Sequence, residues 1–208
     1  MQKLRIAVLI SGGGTTLKNL IDWQLARELP VDFQLVISSN PDAQGLKHAR
    51  AASIPTQIVS RKDFATAQEH SARIFDLCQE HDVQLLVMGG YVEHLLIAPE
   101  YENRVINIHP SLIPSFCGQG YYGKRVHQRA VEYGVKTSGC TVHFVDNEYD
   151  HGPIIAQRAC AVYDTDTSDS LQNRVFELEC QLLPEAIAAI AEERVEVRGR
   201  IVHVHAII

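Results

Sequence analysis

The sequence of 208 residues contains no apolar run long enough to cross a membrane, and its first apolar stretch ends at Ser11 without a signal-peptide cleavage site. The five cysteines lie at least twenty residues apart, so no Cys-x-x-Cys pair indicates a zinc site or a disulfide framework. Basic residues are not in excess, because 19 Lys and Arg stand against 25 Asp and Glu, a formal net charge of −6. These absences predict a cytoplasmic protein without metal that binds neither nucleic acid nor membranes.

The hydrophobic residues, 46% of the chain, are grouped into short apolar runs that alternate with helical patterns. Leu4 to Ile10 is the first run and is broken only by Arg5, as expected for a strand covered on both faces. The first half predicts strands at 4–10, 33–37, 57–59, 84–88 and 105–109, with helices at 17–25, 42–53 and 66–81. This alternation predicts an α/β fold, Rossmann-like and doubly wound, with a mostly parallel central sheet and helices on both faces.

The second half continues without a repeat, a low-complexity stretch or an obvious linker. Its patterns predict helices at 124–133 and 168–193, strands at 141–145 and 154–162, and a terminal hairpin at 194–204. Ser168 is the expected N-cap of the long helix, because its hydroxyl could accept a hydrogen bond from a free amide of the first turn. We therefore expect a single domain that spans residues 1–208.

A glycine-rich turn, Ser11 to Thr16, joins the first strand to the first helix. Such a turn presents main-chain N–H groups and the positive end of the helix dipole to an anion. The spacing is not that of a dinucleotide-binding fold, since Leu17 stands where glycine or alanine is needed, and no P-loop lysine follows. The turn predicts a site for a single phosphate, and the alternative is that its glycines serve only the tight turn.

Two polar side chains, Asn107 and His109, lie two residues apart in the apolar run 105–109, so an extended chain points them to one face. The acidic loop 146–153 supplies His143 and Asp150 at its borders, and a carboxylate near an imidazole orients it. Together they suggest acyl-transfer or related carbonyl chemistry in which the substrate supplies the nucleophile, since no Gly-x-Ser-x-Gly elbow is present. The alternatives are that Asn107 and His109 are only a buried polar pair bonded to nearby main chain, and that the loop 146–153 is only a solvated acidic turn.

These motifs resemble the signature of the folate-dependent formyltransferases. Its first half is similar to Asn107-Ile108-His109-Pro110-Ser111-Leu112-Ile113-Pro114, and its second half to 141–145 followed by 150–157. The resemblance extends from the opening strand to about residue 190. Within the family it is strongest to the members that act in de novo purine (IMP) synthesis.

The resemblance implies that 10-formyltetrahydrofolate, a co-substrate, donates a formyl group to the amine of 5′-phosphoribosylglycinamide. The family's catalytic residues fall on Asn107, His109 and Asp150. Its substrate-binding residues fall on Gly13, Gly14, Thr15, Thr16 and Glu179, and its folate-binding residues on Tyr91, Val92, Glu93, His94, Leu95, Val145 and Asp146. Residues 1–100 are then expected to form the phosphate-binding half, and residues 101–208 the catalytic and folate-binding half.

The chain departs from the family pattern at several positions of the expected site. Thr16 stands where an asparagine is usual, so an amide side chain near the phosphate is lost. Glu93 and Ala67 stand where arginines are common, which removes positive charge from the expected path of the anionic folate tail. The insert 118–123, Gly-Gln-Gly-Tyr-Tyr-Gly, lengthens the loop after the catalytic strand and either reshapes the substrate entrance or only packs the loop.

Related activities remain as alternatives. A formyltetrahydrofolate deformylase, which is a hydrolase, is disfavoured because Pro110 follows His109 where a second histidine is expected. A methionyl-tRNA formyltransferase would need a further RNA-binding domain, for which this length leaves no room. A sugar-nucleotide N-formyltransferase and a non-catalytic folate- or nucleotide-binding relative also stay open, and the protein is expected to be a monomer or a homodimer that binds small molecules.

Overall fold

The computed structural model describes residues 3–26 and 28–206, which fall into two compact units that are divided between Asn107 and Ile108. The strands of the first unit are β1 (Leu4–Ile10), β2 (Val31–Ser38), β3 (Thr56–Ile58), β4 (Leu85–Met88) and β5 (Val105–His109), the last of which ends in the second unit. They lie in the order β3-β2-β1-β4-β5, and every neighbouring pair is parallel. The helices are α1 (Thr15–Leu25), α2 (Gly45–Ala51) and α3 (Ala67–Glu80).

The core of the first unit lies around β1, which has a hydrogen-bonded neighbour on each side. Ile6 to Ile10 are all fully buried, which explains why the sequence of this strand is almost continuously apolar. Leu17, Leu20 and Ile21 bury one side of α1, and Ile74, Leu77 and Cys78 bury one side of α3, as the helical spacing predicted.

The second unit contains α4 (Lys124–Tyr133), β6 (Thr137–Phe144), β7 (Ile154–Ala161), α5 (Ser168–Ala191), β8 (Val195–Arg198) and β9 (Ile201–Val204). Its sheet runs in the order β6-β7-β9-β8, with β6 and β7 antiparallel, β7 and β9 parallel, and β8 and β9 antiparallel. The predicted α/β fold with a mostly parallel central sheet is therefore confirmed, and so is the terminal hairpin.

Two boundaries differ from the sequence prediction by more than two residues, and one predicted cap is replaced by its neighbour. Helix α2 begins at Gly45 instead of Asp42, and β6 begins at Thr137, because its pairing with β7 extends to the partners Thr137 and Ala161. The predicted N-cap of α5, Ser168, is wrong. Thr167 is the N-cap, since its backbone is extended and its hydroxyl accepts a hydrogen bond from the Ser170 amide at 3.2 Å.

Among the residues that the structure describes, none of the helices is both long enough and apolar enough to span a membrane.

Candidate active site

The strand β5 carries the two residues that the sequence analysis placed at the centre of the site. Its register pairs Asn107 with Met88 of β4, at the end of the first unit. Strand alternation places Asn107 and His109 on the same side of β5. His109 is buried, with 3% of its surface exposed, so its ring nitrogens depend on protein partners.

Both ring nitrogens of His109 face acceptors in the second unit. Nε2 lies 3.0 Å from the main-chain oxygen of Phe116, and Nδ1 lies 3.5 Å from Oδ2 of Asp150. Because a carbonyl oxygen only accepts, Nε2 carries a proton in this arrangement. The structure thus places His109 beside Asp150, and a main-chain carbonyl fixes the rotation of the ring.

The carboxylate of Asp150 is oriented from three directions. The Gly118 N–H donates to Oδ2 at 2.8 Å, the His109 ring lies beside the same oxygen, and Nε2 of His143 lies 3.9 Å from Oδ1. Asp150 itself has φ of 52°, a left-handed conformation that aspartate tolerates better than most residues. The insert that begins at Gly118 therefore takes part in positioning this carboxylate.

Two further histidines of the second unit lie close to this pair. Burial lowers the pKa of His143, although the Phe144 carbonyl and Asp150 both oppose that shift. Burial and the neighbouring His109 lower the pKa of His127 to about 4. Both rings are therefore neutral near pH 7, and Nδ1 of His127 has no hydrogen-bond partner within the described part of the chain.

A buried polar network holds the segment that follows β5. The Thr141 hydroxyl donates to the Ser111 carbonyl at 2.7 Å and accepts from the Ile113 amide at 3.1 Å. The Gln157 amide group donates both to Thr141 Oγ1 and to the Ile113 carbonyl, at 2.9 and 3.0 Å. Side chains of β6 and β7 thus satisfy main-chain groups of the signature loop, which fixes its path.

In the first unit the glycine-rich turn leads into α1 as predicted. Gly14 is the N-cap with φ of 71°, and no side chain caps the helix. A Cβ on Gly14 would lie 2.3 Å from the Cα of Gly45, so a close main-chain contact with α2 requires glycine there. Gly12 and Gly13 have open space around them, so their main chain is accessible to a ligand.

The predicted folate segment, Tyr91 to Leu95, lies beside this turn. The Ser11 hydroxyl accepts a hydrogen bond from the Val92 amide at 3.1 Å, and a Cβ on Gly89 would lie 3.5 Å from Thr16. Tyr91 and Leu95 are buried, Val92 is 54% exposed, and Glu93 and His94 are half-buried. The first unit therefore brings together the predicted phosphate turn and the predicted folate segment.

The Tyr91 hydroxyl reaches an imidazole that the sequence analysis did not identify, Nε2 of His70, at 3.3 Å. His70 is fully buried, and burial lowers its pKa. Glu93 raises that pKa and Arg61 lowers it, so both charges lie near this end of the folate segment.

The remaining predicted residues lie in the second unit. Val145 and Asp146 begin the loop after β6, where Asp146 Oδ2 lies 2.8 Å from Nδ1 of His151. Glu179 lies in α5, and burial raises the pKa of its carboxyl to about 8. Glu179 also raises the pKa of Cys140 on β6, which places its carboxyl on the side of α5 toward that strand.

Sequence reasoning missed Phe116, Gly118 and His127. Phe116 and Gly118 act through main-chain groups, which no side-chain pattern reveals. His127 was open to detection, because Val126, His127 and Ala130 together form the buried side of α4. In the described part of the chain, no group of three or more His, Cys, Asp or Glu side chains is placed to hold a metal ion, and the predicted metal-free reaction stays a prediction.

Comparisons with known proteins identify the family of the chain. Residues 4–187 match the family described as "Formyl transferase", and the chain belongs to that family. It is 36% identical over 203 residues to "Phosphoribosylglycinamide formyltransferase" of Haemophilus influenzae, covering 96% of this chain and 92% of that protein.

The chain is also similar to part of a longer protein and to a protein of known structure. The chain is 40% identical over 194 residues to "Trifunctional purine biosynthetic protein adenosine-3" of Drosophila melanogaster, covering 91% of this chain but only 14% of that longer protein. The structure of glycinamide ribonucleotide transformylase 1 from Symbiobacterium toebii superposes with a TM-score of 0.90 at 36% identity, covering 98% of this chain and 94% of that chain.

Proposed function

We propose that this chain transfers a formyl group from 10-formyltetrahydrofolate to the amine of 5′-phosphoribosylglycinamide, a step of de novo purine (IMP) synthesis. The observation that carries the proposal is the His109–Asp150 pair, held by the Phe116 carbonyl and the Gly118 amide at the end of β5. The names of the relatives that match most of this chain support the choice of substrate.

In the proposed reaction the neutral amine of the glycinamide attacks the formyl carbon of the donor. The Asn107 amide and a protonated His109 stabilise the oxyanion that forms, and the Nε2–H of His109 exchanges the Phe116 carbonyl for that oxygen. The amine then loses a proton to Asp150 through water, and Asp150 passes that proton through water to N10 as the bond from the formyl carbon to N10 breaks. Formylated glycinamide ribonucleotide and tetrahydrofolate leave.

The binding residues are proposed for each unit in turn. The uncapped N-terminus of α1 and the open Gly13 support binding of the substrate phosphate by the turn, through Gly13, Gly14, Thr15 and Thr16. Glu179 is proposed to contact the glycinamide group. The folate is proposed to bind through two segments, which are Tyr91 to Leu95 and Val145 with Asp146. Both units would thus serve one formyltransferase domain.

We further propose that the protein works in the cytoplasm on small molecules alone, as a monomer or a homodimer. The five cysteines are all free thiols, which suits a reducing compartment. Light scattering after size exclusion distinguishes the two oligomeric states. Because the proposed mechanism uses no metal, we expect a chelating agent to leave turnover unchanged.

In the decisive experiment, purified protein is mixed with 10-formyltetrahydrofolate, with and without glycinamide ribonucleotide, and the formation of deformylated folate is measured by absorbance. We expect turnover that requires the ribonucleotide and that falls by about 10²- to 10³-fold in Asn107→Ala and Asp150→Ala. Glu148→Gln is the matched control, because Glu148 is an exposed carboxylate of the same loop, and it should retain activity.

Each other outcome identifies a different function. Turnover with the donor alone would indicate a formyltetrahydrofolate hydrolase. Bound donor without turnover would mean that the amine acceptor is a different compound, such as a sugar nucleotide. If neither donor nor ribonucleotide bound, a transferase role would be excluded.

A further inference from the structure

The hairpin formed by β8 and β9 contacts the loop that carries Asp150 through one side chain, Arg200. Arg200 lies in the hairpin turn, directly before β9, which pairs with β7 at Ile154 and Ile201. Its NH2 group donates to the main-chain oxygen of His151 at 2.7 Å, and its NH1 group lies 3.1 Å from Nε2 of the same residue. One guanidinium therefore binds both the backbone and the ring of the residue that follows Asp150.

The ring of His151 extends this contact to the other end of the loop. Its Nδ1 lies 2.8 Å from Asp146 Oδ2, and since a carboxylate only accepts, Nδ1 carries the proton. The NH1 group of Arg200 lies 3.1 Å from Nε2 and 3.4 Å from Nδ1, so the guanidinium lies over the face of the ring. Arg200 therefore contacts the ring, and the ring in turn donates to Asp146.

The same loop is closed at its base by Asp146 and Gly152. The second oxygen of Asp146 accepts from the Glu148 amide at 3.0 Å. A Cβ on Gly152 would lie 2.0 Å from the Phe144 carbonyl, so the chain folds back tightly at that point. Asp150 thus lies on a short closed segment, and Arg200 binds that segment from outside.

The orientation of Asp150 depends on this segment. Its carboxylate must stay 2.8 Å from the Gly118 amide and beside His109 Nδ1, whereas its own backbone is in the strained left-handed region. The His151 carbonyl belongs to the peptide between residues 151 and 152, and without the Arg200 donor that peptide could rotate. We expect such a rotation to loosen the chain next to Asp150 and to let its carboxylate move away from both partners.

We propose that Arg200 is a positioning residue for Asp150, which it holds in place through the carbonyl and the ring of His151. This role rests on the proposed function only in that Asp150 is taken to assist proton transfer. Arg200 contacts neither His109 nor Asp150 directly. Its effect is expected on the rate of the chemical step and not on the binding of either substrate.

The matched control is Arg198, two residues earlier at the end of β8, whose guanidinium pairs with Glu196 of the same strand at 2.9 Å. Hydrogen–deuterium exchange of the peptide 145–153 is measured in full-length wild type, Arg200→Ala and Arg198→Ala. We expect about tenfold faster exchange in Arg200→Ala and wild-type exchange in Arg198→Ala, because only Arg200 binds this loop.

The kinetic arm measures kcat and both KM values of the same proteins. Arg200→Ala should lose about tenfold in kcat with each KM within about twofold of wild type, whereas Arg198→Ala should match wild type. Arg200→Lys keeps one donor for the His151 carbonyl and should recover part of kcat. His151→Ala removes the ring contacts to Arg200 and Asp146 but keeps the main-chain carbonyl that Arg200 binds, and it should lie between wild type and Arg200→Ala.

Equal exchange of 145–153 in the two alanine variants would overturn the proposal, as would a change in KM with kcat preserved. If Arg200→Ala does not fold, Arg200→Lys and His151→Ala decide the same question. Absence of wild-type turnover would refute the proposed function, but the exchange comparison would still show whether Arg200 holds the loop.

Discussion

At the scale of single residues, main-chain groups orient the side chains of the candidate site. Phe116 has φ of 49° and presents its carbonyl to His109, while Gly118 has φ of 91° and presents its amide to Asp150. A left-handed conformation is unfavourable for a residue such as phenylalanine, and such strain is typical of functional sites. The short stretch 116–118 therefore connects the inserted loop to both members of the proposed catalytic pair.

We expect Gly118→Ala to reduce kcat by about tenfold or more, because a side chain at this positive φ twists the amide away from Asp150. The strain should also cost about 1 kcal/mol of unfolding free energy. Gly134, with φ of 82° and equally open space, ends α4, so Gly134→Ala is the matched control. Steady-state kinetics and urea unfolding test this pair. Full activity in Gly118→Ala would contradict the orienting role of its amide.

The buried carboxyl of Glu179 makes stability depend on pH. Its pKa is raised to about 8, so between the usual value of 4.5 and that pH the folded state holds a proton that the unfolded state has lost. This contribution to stability is fully present below about pH 4.5 and is lost as the pH rises through 8. Glu179→Gln should thus become more stable than wild type as the pH rises, by on the order of 4 kcal/mol at pH 8.

Urea unfolding at pH 5 and pH 8 measures this difference, with the exposed Glu177→Gln of the same helix as control. Kinetics of Glu179→Gln should also show a raised KM for the ribonucleotide and not for the folate. A stability difference that is independent of pH would show that the carboxyl is ionised throughout.

At the scale of elements, α5 is joined to the end of β7 by one carboxylate. Asp166 accepts two hydrogen bonds from Arg174, at 2.7 and 2.9 Å, and further bonds from the Tyr163 amide and the Ser170 hydroxyl. Arg174 also donates to the Ala161 carbonyl at 2.9 Å. The Arg174 guanidinium beside Asp166 holds the pKa of that carboxyl well below its usual range.

Asp166→Asn should lower the unfolding free energy at pH 7 by about 1–2 kcal/mol, allowing for the partial exposure of Arg174. Since the native pKa is depressed, this stabilisation is present above about pH 4 and is lost as the pH falls further, so wild type and variant should converge in acid. Asp164→Asn is the control, because Asp164 pairs with Lys136 at an exposed site and should change stability little. Chemical unfolding between pH 3 and 7 provides the measurement.

At the scale of the whole molecule, each compact unit carries part of the predicted site. Gly13 to Thr16 and Tyr91 to Leu95 belong to the first unit, whereas His109, Asp150 and Glu179 belong to the second. Ligands that bind only the native state stabilise it by mass action. Thermal unfolding therefore reports substrate binding separately from catalysis.

Glycinamide ribonucleotide at about one hundred times its Kd should stabilise the protein by about 2.7 kcal/mol, which raises Tm by roughly 5–10 °C at this size. Asp150→Asn should show the same shift, because it keeps the phosphate turn. The riboside without phosphate should give a much smaller shift. Equal shifts from ribonucleotide and riboside would exclude Gly13 to Thr16 as the phosphate site.

Much of the fold followed from local patterns, because strands covered on both faces are continuously apolar and helices repeat every 3.6 residues. Those patterns did not predict the start of β6 at Thr137 or the N-cap of α5 at Thr167. The first depends on pairing with β7, and the second on which of two neighbouring hydroxyl residues reaches the Ser170 amide. The same holds for the candidate site. Asp150 could be proposed from the sequence because its side chain is a carboxylate in an acidic loop, whereas Phe116 and Gly118 act through main-chain groups that no side-chain pattern reveals.

The sequence by itself determined the order of the elements, the family signature around Asn107, His109 and Asp150, and the glycine turn after β1. Only the tertiary structure decided that the Gly118 amide holds Asp150, that Gly14 packs against Gly45, and that Arg200 reaches His151 across 49 residues. The reason is that local periodicity records which face of an element is buried. Contacts between distant main-chain and polar groups depend on loop paths that exist only in the folded chain.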